Sequence, residues 1–146
     1  MSSSTYLRAM ARGAVGAMAM TGMRQLTSNI GLLREAPPES MVSKVAPDEL
    51  RRLSPEKRTA LTEVTHWTYG SLAGVGFALL PSAVRRWWPA GPLYGVGVWL
   101  GYETVIAPLL GLEAPHGKVL GRIAVLGDHV LYGAVVGARA TRGAAG

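Results

Sequence analysis

Residues 87–112 read WWPAGPLYGVGVWLGYETVIAPLLGL, and Glu103 is the one charged side chain among these 26. Residues 67–84 contain no Asp, Glu, Lys or Arg, and residues 123–138 contain Asp128 alone. A helix that crosses the hydrocarbon core of a bilayer needs about 20 predominantly apolar residues. With their flanks added, these three windows predict membrane-spanning helices.

A fourth window covers residues 10–33, which are uncharged from 13 to 23 and then carry Arg24. Its length and its content of Ala, Met, Leu and Ile predict a span that packs against partners rather than facing lipid. The sequence therefore predicts an all-α membrane protein, a single domain in which two helical hairpins supply four transmembrane helices. The predicted domain is residues 1–146, with spans over about 10–33, 64–81, 92–112 and 121–139.

The composition supports the same prediction. Of the 146 residues, 49% are hydrophobic and 16% are charged, whereas an ordinary soluble domain has roughly 25% charged residues. A soluble domain of this length would have too little polar surface to cover three such apolar helices. The absence of Cys excludes a disulfide scaffold, thiolate zinc sites and iron–sulfur clusters.

A polar loop of residues 34–63 separates the first two predicted spans. The proline pair at 37–38 is expected to end the first helix, because neither residue donates a backbone hydrogen bond. Pro47 suits the first position of a short amphipathic helix within the loop. The triplet Ser-Pro-Glu that begins at Ser54 is a helix start signal, and it predicts one long helix over about residues 55–80.

An internal repeat joins the second and fourth spans. The pattern His-x-x-Tyr-Gly-x-x-x-Gly begins at His66 and again at His129, an offset of 63 residues. In a helix, His and Tyr three positions apart share one face, and glycines four apart let a neighbouring helix approach closely. The glycines predicted to pack helices are Gly70, Gly74, Gly133 and Gly137 in the repeat and Gly97 and Gly101 on the third span.

Four segments carry a resemblance to a known family. They are residues 66–81, residues 103–108, residues 128–133 and the proline pair at 37–38. Together they resemble the YagU-like family of uncharacterised bacterial inner-membrane proteins. The resemblance implies a small polytopic protein of the bacterial plasma membrane, and it brings no activity to transfer.

Ionisable side chains inside the predicted spans are the best indication of a functional site, because such groups are costly in a bilayer and usually paired or functional. At about 1.5 Å per residue, those of all four helices lie about 15–21 Å from one end of the spans. Pro108 is expected to bend the third helix beside Glu103. The predicted intramembrane polar cluster consists of Arg24, His66, Tyr69, Glu103, Asp128, His129 and Tyr132.

Four interpretations of this cluster stay open. It is a structural network in which Arg24 pairs with Glu103 or Asp128, or its acids and histidines form a proton or ion pathway. Alternatively, His66 and His129 ligate a metal ion or haem, with the two acids as further ligands. The fourth interpretation is catalysis within the membrane, for which no motif specifies a reaction.

These observations predict a non-enzymatic protein without a cofactor, either an assembly or interaction subunit or a homo-oligomer. Its expected partners are the lipid bilayer and other membrane subunits. The alternative is a protein that conducts protons or ions through Glu103, Asp128, His66 and His129, and a lesser alternative is haem or metal binding by the two histidines.

The net charge of +6 does not indicate binding to nucleic acid, because the cations flank the predicted spans instead of forming a stripe with interleaved aromatic residues. Cations near the ends of spans favour the cytoplasmic side. The sequence thus predicts a plasma-membrane protein with both termini in the cytoplasm. The cations on that side are Arg8, Arg12, Arg85, Arg86, Arg139 and Arg142.

Overall fold

The computed structural model describes residues 3–31, 37–112 and 119–138, and within these ranges the chain is a helical bundle without a β-strand. The helices are α1 (Ser3–Asn29), α2 (Pro37–Val45), α3 (Pro47–Arg52), α4 (Pro55–Leu79), α5 (Ser82–Arg86), α6 (Ala90–Gly101), α7 (Ala107–Leu109) and α8 (Val119–Gly137). A π-helical turn, Tyr102–Ile106, joins α6 to α7.

Prolines open three of these helices. Pro37, Pro47 and Pro55 each occupy a first helical position, where the missing backbone N–H would have had no helical partner anyway. Helices at Pro47 and Pro55 match the sequence signals. The loop between α1 and α4 holds two short helices, α2 and α3, rather than the single one expected. The proline pair at 37–38 was expected to end the first helix. Instead, α1 ends at Asn29, and the pair begins α2.

The start of α4 shows how local chemistry sets a helix boundary. Ser54 precedes the helix with an extended backbone, at φ −63° and ψ 157°. A hydrogen bond from the Glu56 backbone N–H, and then one from the Ser54 side chain, lowers the pKa of the Glu56 carboxyl. A carboxylate in the first turn also interacts favourably with the helix dipole.

The long helices form two antiparallel pairs. In the first pair, Ala9 of α1 lies against Gly74 of α4, and Arg24 further along α1 pairs with Glu63 near the start of α4. In the second pair, α6 runs antiparallel to α8, and α1 packs against α8 to join the two pairs. The apolar core between them consists of Met20, Phe77, Ala90, Tyr132 and Val136.

Glycines allow both helix pairs to approach closely. A Cβ placed on Gly70 would lie 2.6 Å from the Cβ of Ala17, and one on Gly137 would lie 2.7 Å from the Cα of Gly91. Both distances are far below van der Waals contact, so no larger residue fits without moving a helix. The two glycine pairs of the repeat thus lie in different interfaces, Gly70 and Gly74 against α1 and Gly133 and Gly137 against α6.

The prediction for the third helix needs correction. A Cβ on Gly97 or Gly101 would meet nothing within 4 Å, whereas one on Gly91 or Gly95 would clash with the backbone of α8. The glycines of α6 that pack against α8 are therefore Gly91 and Gly95 instead of Gly97 and Gly101. Glycines at different positions of a helix lie on different faces, and the position of the neighbouring helix determines which face is packed.

The prediction of four transmembrane helices is wrong. Of the described helices, one is long and apolar enough to cross a membrane, namely Val119–Gly137, with 19 residues and a mean hydropathy of 1.5. A core helix of a soluble protein would satisfy the same description, although only 39% of this segment is buried. The long uncharged windows of the sequence do not coincide with long uncharged helices.

The reason differs from helix to helix. Helix α1 carries Arg8, Arg12 and Arg24. Residues 62–79 of α4 carry a single charge, Glu63, but their Thr, His, Tyr, Gly and Ser residues make the mean hydropathy too low for a span. Helix α6 has only 12 residues, because the backbone then changes to a π-helical turn in which the N–H of Ala107 bonds to the carbonyl of Tyr102. A bend was expected near Pro108, and the backbone irregularity lies directly before that residue.

Large apolar side chains cover much of the outside of the bundle. Trp88 is 85% exposed, Leu109 is 79% exposed and Val119 is 75% exposed. Buried positions, by contrast, include several polar and charged residues. Those residues are Arg24, Thr62, His66, Asp128 and His129. Buried charged residues and large exposed apolar side chains are the informative departures from the usual distribution in soluble proteins.

Candidate functional site

A cavity of about 80 Å³ lies between α1, α4, α6 and α8, toward the Arg24 end of α1. Its volume is enough for a few water molecules. Apolar atoms form most of its wall, and they include side chains of Ala17, Met20 and Val98. Its polar lining residues are Arg24, Thr65, His66, Tyr69, Tyr102, Asp128, His129 and Tyr132.

Six of the seven residues of the predicted polar cluster therefore line one cavity, although they come from three helices. Arg24 is on α1, His66 and Tyr69 are on α4, and the remaining three are on α8. Tyr69 stands at the edge, since it is 43% exposed. Glu103, the seventh residue, does not line the cavity. Whether the cluster works as a functional site stays a prediction.

Arg24 is held by an acid that the sequence interpretation missed. Its Nη2 atom forms an ion pair with Oε1 of Glu63, and the other carboxylate oxygen accepts a 2.6 Å hydrogen bond from Thr21. Trp67 Nε1 donates to the same Thr21 hydroxyl at 3.4 Å. The expected pairing of Arg24 with Glu103 or Asp128 is therefore wrong.

Glu63 escaped notice because it was assigned to the polar loop. A signal for it exists in the sequence, since Glu63, His66 and Gly70 are spaced three and four residues apart on α4. Such spacing places all three on one helix face, and Gly70 marks that face as the one that packs against α1.

The two copies of the repeat meet beside the cavity. The hydroxyl of Tyr132 donates a 2.6 Å hydrogen bond to the carbonyl of Gly70, which joins α8 to α4. His129 Nδ1 lies 2.8 Å from the carbonyl of Val125. Because a carbonyl only accepts, Nδ1 carries the proton, and Nε2 of a neutral His129 is an acceptor.

Two buried polar atoms at the cavity have no hydrogen-bond partner within the residues that the structure describes. They are Oδ1 of Asp128 and Nδ1 of His66. Leaving a buried polar atom unpaired costs about 1–3 kcal/mol. Arg24 at the cavity is neutralised by Glu63. The Asp128 oxygen and the His66 nitrogen remain able to bind a small polar molecule.

Glu103 pairs with Arg122, which is not among the residues that line the cavity. Its Oε2 accepts a 3.2 Å hydrogen bond from Arg122, whose side chain is half-exposed. Its neighbour Tyr102 lines the cavity. Among the described residues, Glu103 itself does not line the cavity, and its membership of the predicted intramembrane polar cluster stays a prediction.

The structure gives little support to metal or haem binding. Among the described residues, no group of three or more His, Cys, Asp or Glu side chains is placed to hold a metal ion. His66 and His129 both line the cavity, but its volume of about 80 Å³ is well below the roughly 300–1,000 Å³ of pockets that hold larger ligands.

The chain belongs to a family described as a "Family of unknown function (DUF6789)", whose model matches residues 3–145. No curated protein and no solved structure matches it. The family description assigns no activity, and the resemblance to the YagU-like family stays a prediction.

Proposed function

We propose, for this member of a family without an assigned function, that the chain is a non-enzymatic helical bundle embedded in a lipid bilayer. The observation that carries the proposal is the combination of buried charged side chains with large apolar side chains on the outside of the bundle. Arg24 and Asp128 are 8% and 4% exposed, whereas large apolar side chains stand on the outer faces of three long helices. These include Leu7, Val15 and Leu26 on α1, Val64, Leu72 and Leu79 on α4, and Val119, Leu120 and Ile123 on α8.

Contact with acyl chains accounts for this surface. In water, large contiguous exposed apolar patches mark contacts with membranes or other proteins. In lipid, they cost nothing, and helix association then depends on close packing of small residues. The glycine contacts of α1 with α4 and of α6 with α8 are packing of this kind. Helix α8 is the segment we propose to cross the membrane.

The role we propose for the bundle is structural. Arg24 with Glu63 and Tyr132 with Gly70 join helices that are far apart in sequence, and they fix the arrangement that the apolar faces present to lipid and to other membrane subunits or further copies of the chain. The end of the bundle that carries Arg8, Arg12 and Arg85 is the proposed cytoplasmic end, in accordance with the positive-inside rule.

The test is membrane fractionation of the full-length chain. We expect the protein to stay in the membrane pellet after washes with high salt and alkaline carbonate and to be released by detergent. Gly127 offers a sharp variant, because it is exposed near the middle of α8 and a Cβ there meets nothing within 4 Å. Gly127→Arg should reduce the pelleted fraction, since Arg at the centre of a span costs about 2.5–3.5 kcal/mol.

Two controls accompany that variant. Gly127→Leu adds bulk without charge and should remain in the pellet, and Glu49→Arg places the new charge on exposed α3 and should also remain there. Release of the unmodified chain by carbonate, or a monomer that stays in solution without detergent, would refute the proposal.

A second candidate function is proton or ion transfer through the cavity. The specific observation in its favour is the pair of unpartnered buried atoms, Asp128 Oδ1 and His66 Nδ1, among the described residues. Carboxylates and imidazoles inside membrane proteins are the usual components of proton relays. The candidate residues are then His66, Asp128 and His129, without Glu103.

Liposomes that contain a pH-sensitive dye test this candidate. The reconstituted protein should dissipate an imposed pH gradient, and Asp128→Asn should slow the change severalfold. Asp48→Asn is the matched control, because it neutralises an exposed acid on α3, and it should leave the flux unchanged. Flux equal to that of empty liposomes would exclude the candidate.

A further inference from the structure

A second cavity, of about 200 Å³, lies at the opposite end of α1 from the polar cavity. It is bounded by the start of α1, the end of α4, helix α5 and the end of α8. Its polar lining residues are Thr5, Arg8, Arg12 and Arg85, and its apolar or small lining residues are Ala9, Gly74, Phe77, Ala78 and Val136. None of the functions considered above uses it.

The charge of this cavity is one-sided. Three guanidinium groups line it, and no carboxylate does. Residues 3–31, 82–86 and 129–138, which include the parts of α1, α5 and α8 at this end, contain no Asp or Glu at all. Within the described residues no ion pair forms with Arg8, Arg12 or Arg85, whereas Arg24, at the other end of α1, has Glu63.

The arrangement suits an anion with several oxygen atoms. Arg8 and Arg12 are four residues apart, so they share one face of α1. Arg85 approaches from α5, and its Nε atom donates a 3.0 Å hydrogen bond to the carbonyl of Leu80. That bond orients the guanidinium and leaves its terminal nitrogens as donors. Guanidinium groups bind phosphate through paired hydrogen bonds, which a single ammonium does not match.

The floor of the cavity is apolar. Phe77 and Val136 are buried beneath the arginines, and Gly74 is so close to α1 that a Cβ there would clash with the carbonyl of Ala9. Exposed Trp87 follows α5 directly, and Trp side chains are typical of the interface between membrane and water. Such a cavity suits an amphipathic phosphate ester, whose phosphate would contact the arginines and whose apolar part would contact Phe77 and Val136.

We propose that Arg8, Arg12 and Arg85 form a binding site for a phosphate group at this end of the bundle. The source is either the headgroup of an anionic phospholipid or a free phosphate. The lipid source rests on the proposed location in a bilayer, whereas binding of free phosphate does not depend on it.

The experiment uses the full-length chain, delipidated in a nonionic detergent, and measures binding of three probes. The probes are short-chain phosphatidylglycerol, short-chain phosphatidylcholine and inorganic phosphate. We expect phosphatidylglycerol to bind at least about tenfold more tightly than phosphatidylcholine, whose phosphate carries the same oxygens but whose choline cation is repelled by the three arginines. Inorganic phosphate should compete with it if the phosphate group alone supplies the contacts.

The decisive variant combines Arg8→Gln, Arg12→Gln and Arg85→Gln, and it should lose the preference for the anionic probe. Its matched control combines Arg51→Gln, Arg52→Gln and Lys57→Gln, which removes the same charge from exposed positions on α3 and the start of α4. Thermal unfolding of both variants monitors the fold. We expect at most a small decrease in Tm for the first, because its arginines make no ion pair among the described residues and Arg85→Gln removes one hydrogen bond to the Leu80 carbonyl.

The outcomes test the phosphate site separately from the proposed location in a bilayer. Equal losses in both variants would mean that net charge alone attracts the anion, and they would refute the site, as would absence of binding to both anionic probes. Binding of inorganic phosphate but not phosphatidylglycerol, lost in the first variant only, would support the site with free phosphate as its source. Because the assay is performed in detergent, its result does not depend on the fractionation experiment.

Discussion

The hydroxyl of Tyr132 donates a 2.6 Å hydrogen bond to the backbone carbonyl of Gly70, 62 residues earlier in the chain. Each residue belongs to one copy of the His-x-x-Tyr-Gly repeat, so the bond connects the two copies directly. A Cβ on Gly70 would make ordinary contact with the Tyr132 ring, 3.6 Å from Cε2, and would clash instead with Ala17 of α1 at 2.6 Å. The bond joins the α1–α4 pair to the α6–α8 pair.

Removing this hydroxyl should weaken the contact between the two helix pairs. We expect Tyr132→Phe to lower the free energy of unfolding by about 1 kcal/mol, the usual net contribution of one buried hydrogen bond. Tyr69→Phe is the control, because Tyr69 is 43% exposed and should tolerate the change. The measurement is thermal unfolding in detergent, followed by circular dichroism. Equal effects of the two variants would contradict the role of the Tyr132–Gly70 bond.

Breaking the ion pair between Arg24 and Glu63 should be considerably more damaging. Glu63→Ala leaves a buried guanidinium uncompensated, a change that typically costs about 3–5 kcal/mol. The exposed pair of Arg51 and Asp48 on α3 provides the comparison, and Asp48→Ala should cost less than about 1 kcal/mol.

A double variant separates charge from packing at this position. Arg24→Met combined with Glu63→Leu removes both charges and should recover much of the lost stability, since apolar replacements of buried ion pairs are often well tolerated. If Glu63→Ala unfolds at the same temperature as the unchanged protein, Arg24 does not depend on Glu63.

The glycines of α6 should differ sharply in their tolerance of a methyl group. Gly95→Ala places a Cβ against the carbonyl of His129, whereas Gly97→Ala meets nothing within 4 Å. We expect the first to destabilise the α6–α8 pair and the second to stabilise the helix by up to about 1 kcal/mol. Unfolding midpoints of the two variants measure the difference, and a harmful Gly97→Ala would mean that this face packs against something further.

The core between the helix pairs should depend on Phe77. Its ring is buried and meets Tyr94 edge-on, with centroids 5.3 Å apart. Phe77→Ala should therefore cost about 3–5 kcal/mol. Leu79→Ala, two residues later on α4 and 61% exposed, should cost far less. Comparable losses in detergent would show that the exposed face of α4 is covered in the protein as purified.

Several features of the fold were predictable from local sequence. The starts of α3 and α4 follow from Pro47 and Pro55, because proline in the first turn has no hydrogen bond to lose. The repeat identified Gly70 and Gly133 as close-packed positions, and the same residues lie against α1 and α6. The helix starts depend on neighbours within one turn of helix, so the sequence is sufficient to predict them, whereas the glycine prediction succeeded for the repeat and failed for Gly97 and Gly101.

The number of candidate spans was not predictable in this way. Residues 87–112 form one long uncharged window, but the π-helical turn at Tyr102–Ile106 divides them, and α6 has 12 residues. Counting charges does not detect a change in the hydrogen-bonding pattern of the backbone. Similarly, the signal at Pro47 predicts α3 but not α2, the helix that precedes it in the same loop.

By itself, the sequence determined that this chain is helical, where α3 and α4 begin and that ionisable side chains interrupt its apolar segments. Only the tertiary structure decided that Arg24 pairs with Glu63, that Glu103 turns to Arg122, and that six polar residues share a cavity. The physical reason is directional. Residues along a helix point about 100° apart, so a partner is chosen by which faces meet, and that choice depends on how the helices pack.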